Sequence, residues 1–552
     1  MLLLLAALSL YSCQDPSRGT GIVTIDPDGG DGGDDVRIPD YPDDYSEIAS
    51  WGDRGKWNLA NVHDPSVAYY DGYYYMYCTD ASYGNEHLKA TSGVHFQGRR
   101  SKDLVNWTYV PGPMDEAPAW VAERLNAVRA GMGLDPIAEQ SISYGYWAPV
   151  VRTVTVEGRT VLRMYYCIVV NNSIKTGSTA YDGSWTERAF IGLCESTDPA
   201  DGVWEDKGYV ICSSSDKGPD GWARRSESYW EDAYFYYNAI DPTYFVDEAS
   251  ERHYLVYGSW HSGFALIELD PASGMPLVEP GDPWADSPGE LSQRFGKRIA
   301  TRNAASRWQG SEAPELVYKD GYYYLFMAYD ALEVPYNTRV VRSEAIEGPY
   351  YDITGRDCSA GAGDCYPIVT HPYRFSEGPG WVGFSHCCIF QEEISGDWFY
   401  ASQARLPVGV NGNQYSNSLM MGHVRRLVWC PRSPSELDDL WPLALPERYA
   451  GLPDTKVTRD ELVGVWEHID LGYEYGVQQS SRELSLKEDG TMAGALEGNW
   501  SYDEQTGYLT LGDSIVCVER EADWEASPRR ETIVYAGIGS DPRVTLWGKK
   551  VR

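Results

Sequence analysis

The sequence predicts an all-β protein, with a five-bladed β-propeller followed by a small β-barrel or β-sandwich domain. The chain of 552 residues is 13% aromatic and contains 55 glycines and 32 prolines, a composition typical of many short strands joined by turns. Similar hairpin segments recur five times, and further short alternating strands follow the last repeat. Five four-stranded units favour a propeller. A sandwich gives no reason for five similar hairpins, and a β-helix would need a much shorter repeat.

Each repeat consists of an apolar strand, a tight turn and an aromatic strand. In the first repeat, Asp71-Gly72 separates an apolar strand from a run of tyrosines, and such Asp-Gly pairs favour two-residue hairpin turns. Helical spacing of apolar residues in 116–132 predicts one helix inserted in the first blade. The five repeats begin at Asp64, Trp147, Asp241, Glu312 and Cys387.

Prolines and glycines interrupt the repeat pattern between Trp441 and Pro453. We therefore place the propeller, as the catalytic domain, at residues 46–453 and an accessory all-β domain at residues 454–552. The accessory domain shows no catalytic constellation, which favours a role in packing or glycan binding.

The N-terminal segment predicts export and attachment to a membrane. Residues 1–12 have the apolar run of a signal peptide, which is too short to span a bilayer. The sequence ending at Cys13 resembles a bacterial lipobox and predicts that Cys13 carries lipid; the alternative is a secretory signal with an incidental cysteine. Residues 13–45 are acidic and rich in Gly, Asp and Pro, as in a flexible tether. We expect a lipid-anchored protein of the bacterial cell envelope, periplasmic or on the cell surface.

The charge balance excludes one class of partner. There are 81 acidic against 46 basic residues, a net charge of −35, so nothing would neutralise nucleic-acid phosphates. The cysteines match no zinc-binding spacing. Cys358 and Cys365 flank a glycine-rich loop and are candidates for a disulfide, whereas buried thiols are expected at Cys78, Cys167 and Cys194.

Three of the 81 acids are distinguished by position. Asp64, Asp241 and Glu312 begin the first strands of three repeats, and in a propeller these strands surround the axis and converge at one end. Packing gives no reason to cluster three carboxylates, because like charges raise one another's pKa. Glycoside hydrolysis does, because it needs a protonated acid and an ionised base. Trp147 begins another repeat and is expected to stack on a sugar ring; the alternative is an axial core tryptophan.

An ordered set of motifs resembles glycoside hydrolase family 43, and within it the endo-α-1,5-L-arabinanases, over roughly residues 55–450. The motifs are Val62-His63-Asp64-Pro65-Ser66, Tyr146-Trp147-Ala148-Pro149, Asn238-Ala-Ile-Asp241-Pro242, Tyr257-Gly-Ser259 and Ser311-Glu312-Ala313-Pro314. The resemblance implies inverting hydrolysis of arabinan, with Asp64 as general base and Glu312 as general acid. It implies that Asp241 tunes the pKa of the acid and orients it. It also implies substrate contacts by His63, Asn238 and Ser259.

Two further residues near the axis need separate interpretation. Glu315 is a rival acid, but its odd spacing from Glu312 on a strand predicts that it points to the other face. The resemblance implies that His386 contacts a hydrated calcium ion, although the residues after it depart from the family's Gly-His-Asn type stretch. Calcium prefers oxygen ligands, so a hydrogen-bonded core histidine is the alternative. No organic cofactor is expected.

Two other functions stay open at this point. One is an exo-acting α-L-arabinofuranosidase or β-xylosidase of the same family, because loop shape decides between endo and exo cleavage. The other is a catalytically inactive, glycan-binding surface lipoprotein, which the presence of all three acids disfavours. We expect the protein to be a monomer.

Overall fold

The computed structural model describes residues 38–80, 95–131, 135–171, 188–214, 236–283, 288–303, 310–361, 363–410 and 420–551. The predicted signal peptide, Cys13 and most of the predicted tether lie outside the described residues. Within the described residues, no helix has the length and apolar character needed to cross a bilayer.

Five antiparallel sheets of four strands each confirm the predicted propeller. In each of the first two blades the strands pair in chain order, so that the first strand is innermost. These strands are β1 (Ser66–Tyr70), β2 (Tyr73–Tyr77), β3 (Gly98–Ser101), β4 (Thr108–Val110), β5 (Ser143–Val156), β6 (Arg159–Asn171), β7 (Arg188–Asp198) and β8 (Val203–Cys212). Helix α1 (Ala119–Gly131) lies between the two blades, within the segment predicted to be helical.

The remaining three blades repeat this arrangement. Their strands are β9 (Thr243–Asp247), β10 (Arg252–Tyr257), β11 (Phe264–Leu269), β12 (Lys297–Ala300), β13 (Ser311–Lys319), β14 (Tyr322–Tyr329), β15 (Asn337–Ser343), β16 (Ile368–Thr370), β18 (Val382–Gln391), β19 (Trp398–Arg405), β20 (Met421–Ser433) and β21 (Glu436–Ala444), with the short β17 (Tyr373–Arg374) before the last blade. Helix α2 (Pro288–Phe295) precedes β12. Short 3₁₀ helices are at Ser46–Ile48, Trp51–Lys56, Glu139–Ser141, Pro199–Asp201 and Cys358–Ala360.

Two-residue turns join the first two strands of the first and fourth blades. Asp71 and Gly72, with φ of 47° and 82°, and Asp320 and Gly321, with φ of 50° and 90°, both place two successive residues in the left-handed region. This conformation matches the twist of the flanking strands and explains the repeated Asp-Gly pairs.

Each innermost strand has one non-glycine residue in the left-handed region, either two positions before the strand or within it. The five residues are Asp64 (φ 50°), Ala148 (39°), Asp241 (55°), Ala313 (54°) and His386 (53°). Strand register shifts just after Trp147 and Glu312. The repeats therefore coincide at these five residues, and the sequence alignment that matched Trp147 and Glu312 with Asp64 was wrong by one position. Such conformations cost roughly 1–3 kcal/mol each and persist only where the surrounding structure enforces them.

The C-terminal domain is a closed antiparallel barrel, which decides between the two predicted architectures. Helix α3 (Arg459–Leu462) precedes it, and apolar side chains including Trp466, Leu484 and Trp500 fill its core. The barrel strands are β22 (Gly464–Leu471), β24 (Arg482–Leu486), β25 (Thr491–Gly494), β26 (Gly498–Asp503), β27 (Tyr508–Leu511), β28 (Ser514–Asp523), β29 (Arg530–Ile538) and β30 (Thr545–Lys550). Outside the closed sheet, β23 (Gln479–Ser480) pairs in parallel with β17.

The barrel packs on the last blade through a shared apolar core. Trp547 and Val534 of the barrel belong to the same buried cluster as Trp441 and Leu443 of β21. Cys358 and Cys365 form a disulfide, and Cys78, Cys167 and Cys194 are buried free thiols, as expected.

Candidate active site

The predicted acids meet at one end of the propeller axis. Asp64, Asp241 and His386 line a common polar cavity, and the side chains of Asp64 and Asp241 are almost completely buried. Glu312 is half-buried and interacts electrostatically with Asp241. Asp64, Asp241 and His386 are themselves left-handed residues, and Glu312 immediately precedes the left-handed Ala313.

Three side chains contact the carboxylate of Asp64. Its Oδ1 lies 2.7 Å from His386 Nδ1, and its Oδ2 accepts a hydrogen bond of 2.6 Å from Thr79 Oγ1. His63 Nδ1 lies 2.8 Å from Oδ2, and the backbone N–H of Asp64 donates to Gln403 Oε1 at 2.6 Å. Burial would raise the pKa of Asp64, but His386 and His63 outweigh it and hold this pKa well below 3.8. Asp64 is therefore ionised at neutral pH.

Three donors hold the carboxyl group of Glu312. Ser259 Oγ and Trp260 Nε1 donate to Oε2 at 3.0 and 2.7 Å, and Tyr336 Oη donates to Oε1 at 2.6 Å. Burial raises the pKa of Glu312, and the negative charge of Asp64 adds to the rise, although the hydrogen bonds from Tyr336 and Ser259 oppose it. The net shift is upward, so the environment favours a protonated acid.

Asp241 interacts electrostatically with both Asp64 and Glu312. Its Oδ2 accepts a hydrogen bond of 3.2 Å from the backbone N–H of Ala313, the residue after Glu312. Burial raises the pKa of Asp241 to about 8, with the charges of Glu312 and Asp64 adding to it and His386 opposing it. Asp241 and Glu312 titrate as a pair, and the pair retains a proton at neutral pH.

His386 provides positive charge for the acidic centre. Burial lowers its pKa, but the charges of Asp64, Asp241 and Glu312 outweigh burial and raise it to about 9. An imidazolium paired with Asp64 offsets the negative charge of the three carboxyl groups around it.

The other predicted site residues occupy different positions relative to the acids. His63 contacts Asp64, and Ser259 contacts Glu312. Asn238 is 2% exposed and accepts a hydrogen bond from Ser213 Oγ at 2.8 Å, so in this structure it is covered by protein. Trp147 is partly buried and packs against the core cluster between the second and third blades.

Several contacts to the acids were missed in the sequence. Thr79 also accepts a hydrogen bond of 2.6 Å from the backbone N–H of Ala148, so it connects the first two blades beneath Asp64. The only feature of Thr79 visible in the sequence is its position just after β2, near the axial end of the blade. Tyr336, Trp260 and Gln403 lie outside any recognised motif.

Glu315 has a structural role. Its Oε1 accepts hydrogen bonds from Arg152 Nη2 at 2.5 Å and from the backbone N–H of Ile389 at 3.1 Å, and its Oε2 accepts one from Thr243 Oγ1 at 2.7 Å. A bulge separates it from Glu312, so the simple alternation assumed for this strand does not hold. Its ion pair with the guanidinium of Arg152, rather than strand spacing, distinguishes it from Glu312, whose three hydrogen-bond donors are uncharged.

A second buried acidic cluster lies where the barrel meets the propeller. Among the described residues, Glu447, Asp523 and Glu525 are close enough together to hold a metal ion. The ammonium group of Lys549 lies 3.0 Å from Glu447 and 2.7 Å from Asp523, and it also contacts Glu525. This lysine already supplies the cluster with a cation.

Comparison with known proteins agrees with this fold. The sequence model described as glycosyl hydrolases family 43 matches residues 59–360, and one described as a C-terminal lipocalin-like domain matches residues 446–548. An extracellular endo-α-(1→5)-L-arabinanase of Thermotoga petrophila is 26% identical over 518 residues, covering 89% of this chain and 94% of the relative. The extracellular endo-α-(1→5)-L-arabinanase 2 of Bacillus subtilis is 23% identical over 512 residues, covering 89% and 93%.

A solved structure shows the same fold over nearly its whole length. The crystal structure of endo-1,5-α-L-arabinanase from Thermotoga petrophila superposes with a TM-score of 0.64 at 23% identity, covering 90% of this chain and 99% of that one. The match to the family model spans more than half of the present sequence. This chain therefore belongs to glycosyl hydrolases family 43 and is a glycosidase.

Proposed function

We propose that this protein is an inverting, endo-acting arabinanase that hydrolyses the α-1,5-linked L-arabinan side chains of pectin. One observation carries the proposal: an ionised Asp64 and a Glu312 with a raised pKa lie at the same end of the propeller axis. Paired carboxyl groups with opposite protonation are what glycoside hydrolysis requires. The names of the full-length relatives support arabinan as the substrate.

Asp64 acts as the general base in this mechanism. Its carboxylate removes a proton from a water molecule as that water attacks the anomeric carbon. The contacts from His386 and Thr79 fix the direction of the carboxylate before substrate arrives. An oriented base lowers the entropic cost of positioning the water.

Glu312 acts as the general acid. It donates its proton to the glycosidic oxygen as the bond to the leaving sugar breaks. Ser259, Trp260 and Tyr336 hold its carboxyl group in place. Asp241 tunes the pKa of the acid by sharing a proton with it: the pair retains one proton near neutral pH, and we assign that proton to Glu312.

The remaining predicted residues are proposed to bind substrate. We place Trp147 against a sugar ring, where its indole would stack on the apolar face. His63 and Ser259 lie beside the base and the acid and are proposed to contact substrate hydroxyls as well. Asn238 would support the substrate site indirectly, through its hydrogen bond with Ser213.

The pH dependence of kcat/KM should follow the protonation of Asp64 and of the Glu312–Asp241 pair. We expect activity to persist down to about pH 4, because Asp64 stays ionised there, and to fall in alkaline solution as the Glu312–Asp241 pair loses its proton. In Asp241→Asn, loss of a neighbouring negative charge lowers the pKa of Glu312, so the alkaline limb should move to lower pH. Initial rates from pH 3 to 10 measure this. An unmoved or upward-shifted limb would contradict the assigned role of Asp241.

Time-resolved product analysis tests the function. On linear arabinan we expect a ladder of oligosaccharides at early times, and proton NMR should show the first product with the inverted anomeric configuration. Arabinose alone from the earliest time would instead establish exo cleavage. Absence of any product from linear and branched arabinan, with a folded protein, would overturn the proposal.

A hydrated calcium ion beside His386 is part of the proposal. With the ion bound, His386 would be the neutral imidazole: Nδ1 faces Asp64, which leaves Nε2 toward the ion, and water would supply the oxygen ligands that calcium prefers. Asp64 and Asp241 line the same cavity and provide compensating negative charge. When bound, the ion would add positive charge close to the base.

Removal of metal should therefore lower activity. We expect exhaustive chelation to reduce kcat on arabinan by about tenfold or more, and added calcium to restore it, because the acidic centre loses a positive charge. Metal analysis of the same samples measures occupancy. Full activity in a sample shown to be metal-free would contradict the proposed ion.

Secretion and attachment through a lipid on Cys13 complete the proposal, together with a monomeric state. The relatives are named as extracellular enzymes, which supports secretion. The anchor rests on the lipobox-like sequence alone.

A further inference from the structure

A loop of the C-terminal barrel contacts the propeller on the side of the acid. It comprises residues 472–478, between β22 and β23. The hydroxyl of Tyr473 donates a hydrogen bond of 2.8 Å to Asp330 Oδ2 in the fourth blade. Gln478 Nε2 donates to the carbonyl of Tyr373 at 3.1 Å, and the parallel pairing of β23 with β17 follows. The loop is therefore fixed at both ends.

Asp330 anchors the start of a propeller loop. Its side chain is 6% exposed and its φ is 71°, a strained conformation for a residue other than glycine. Arg302 Nη1 donates to its Oδ1 at 2.8 Å, and Asn337 Nδ2 donates to its Oδ2 at 3.0 Å. Since Asn337 begins β15, Asp330 ties together the two ends of the loop that connects β14 to β15.

The same loop ends in a residue that holds the acid. Tyr336 immediately precedes Asn337, and its hydroxyl donates a hydrogen bond of 2.6 Å to Glu312 Oε1. The guanidinium of Arg339 lies 4.7 Å from the ring of Tyr473, and its Nε donates to Asn337 Oδ1 at 2.5 Å. Tyr473 thus supports the base of this loop by two routes, one through Asp330 and one through Arg339.

We propose that Tyr473 of the barrel is a positioning residue for the general acid in the propeller, acting through Asp330 and Tyr336. The proposal rests on the role given to Glu312 in the proposed function. It assigns the barrel a part in catalysis, beyond packing. Small displacements of a catalytic group are costly, and about 1 Å can lower a rate by roughly 100-fold.

The test compares two leaving groups. Arabinan needs a proton on its leaving oxygen, whereas a 4-nitrophenyl arabino-oligosaccharide releases 4-nitrophenolate without one. In Tyr473→Phe, which keeps the ring and removes the hydroxyl, we expect kcat on arabinan to fall by about tenfold, with little change in KM. We expect kcat on the aryl substrate to change less than about twofold. Tyr336→Phe should show the same pattern more strongly.

The matched control is Tyr475→Phe, in the same barrel loop. Tyr475 is 62% exposed, so its hydroxyl should not matter for either substrate. Thermal melting of each variant checks the fold. A proportional loss on both substrates in Tyr473→Phe, or no loss on either, would overturn the proposal.

Glu312→Ala in the same series separates two failures. The proposed function requires loss of arabinan hydrolysis with retention of aryl cleavage in this variant. If Glu312→Ala still hydrolyses arabinan, the assignment of the acid is wrong, and the inference about Tyr473 is overturned with it. If Glu312→Ala behaves as required and Tyr473→Phe does not, only the barrel's role is rejected.

Discussion

Replacing Asp64 with asparagine should lower kcat on linear arabinan by about 10³-fold or more, because an amide cannot accept the proton of the attacking water. Asparagine keeps the size of the side chain and an oxygen that can face His386 Nδ1, so the pocket should keep its shape. Loss of the negative charge also removes one cause of the raised pKa of Glu312, which weakens the acid's hold on its proton. Both effects lower kcat on arabinan.

The control for this substitution is Asp71→Asn in the first hairpin turn. Asp71 is exposed and has φ of 47°, a conformation that asparagine also tolerates. Steady-state rates on linear arabinan should be unchanged in Asp71→Asn. A rate within tenfold of the wild type in Asp64→Asn would exclude Asp64 as the base.

Replacing Lys549 with methionine should lower the free energy of unfolding at pH 7 by about 3–5 kcal/mol, since it leaves a buried acidic cluster without its cation. The lysine side chain is 1% exposed and contacts Glu447, Asp523 and Glu525. Methionine approximates its volume, so the measured loss reports charge rather than a cavity. Urea titrations followed by circular dichroism and tryptophan fluorescence provide the measurement.

The loss should depend on pH in a defined direction. Burial would raise the pKa of Glu525, but Lys549 and the hydrogen bond with Glu447 outweigh it and hold this pKa at about 2, below the usual value of 4.5. The pairing therefore contributes fully above pH 4.5 and is lost as the pH falls toward 2. The difference between variant and wild type should shrink over that range. Lys456→Met, at an exposed lysine, is the control, and equal stability of Lys549→Met and wild type at pH 7 would refute the argument.

Local chemistry explains which parts of the molecule were predictable. Asp-Gly turns and aromatic strands specify hairpins through contacts between residues close in the chain, so five blades could be recognised from the sequence. Position at the start of a repeat marked Asp64, Asp241 and Glu312 as candidate acids among 81. The off-by-one alignment of Glu312 arose because a bulge is a backbone irregularity that residue spacing does not reveal.

The surroundings of the acids were beyond prediction because they come from distant parts of the chain. Gln403 lies 339 positions from Asp64, and Tyr473 lies 143 positions from Asp330. The closure of the barrel likewise depends on the pairing of β22 with β30, its first and last strands. The sequence by itself determined the repeated unit, the candidate acids and the family, because short-range patterns encode them. Only the tertiary structure decided which side chains orient and charge those acids, because hydrogen bonds and electrostatic interactions depend on distances in space that sequence separation does not measure.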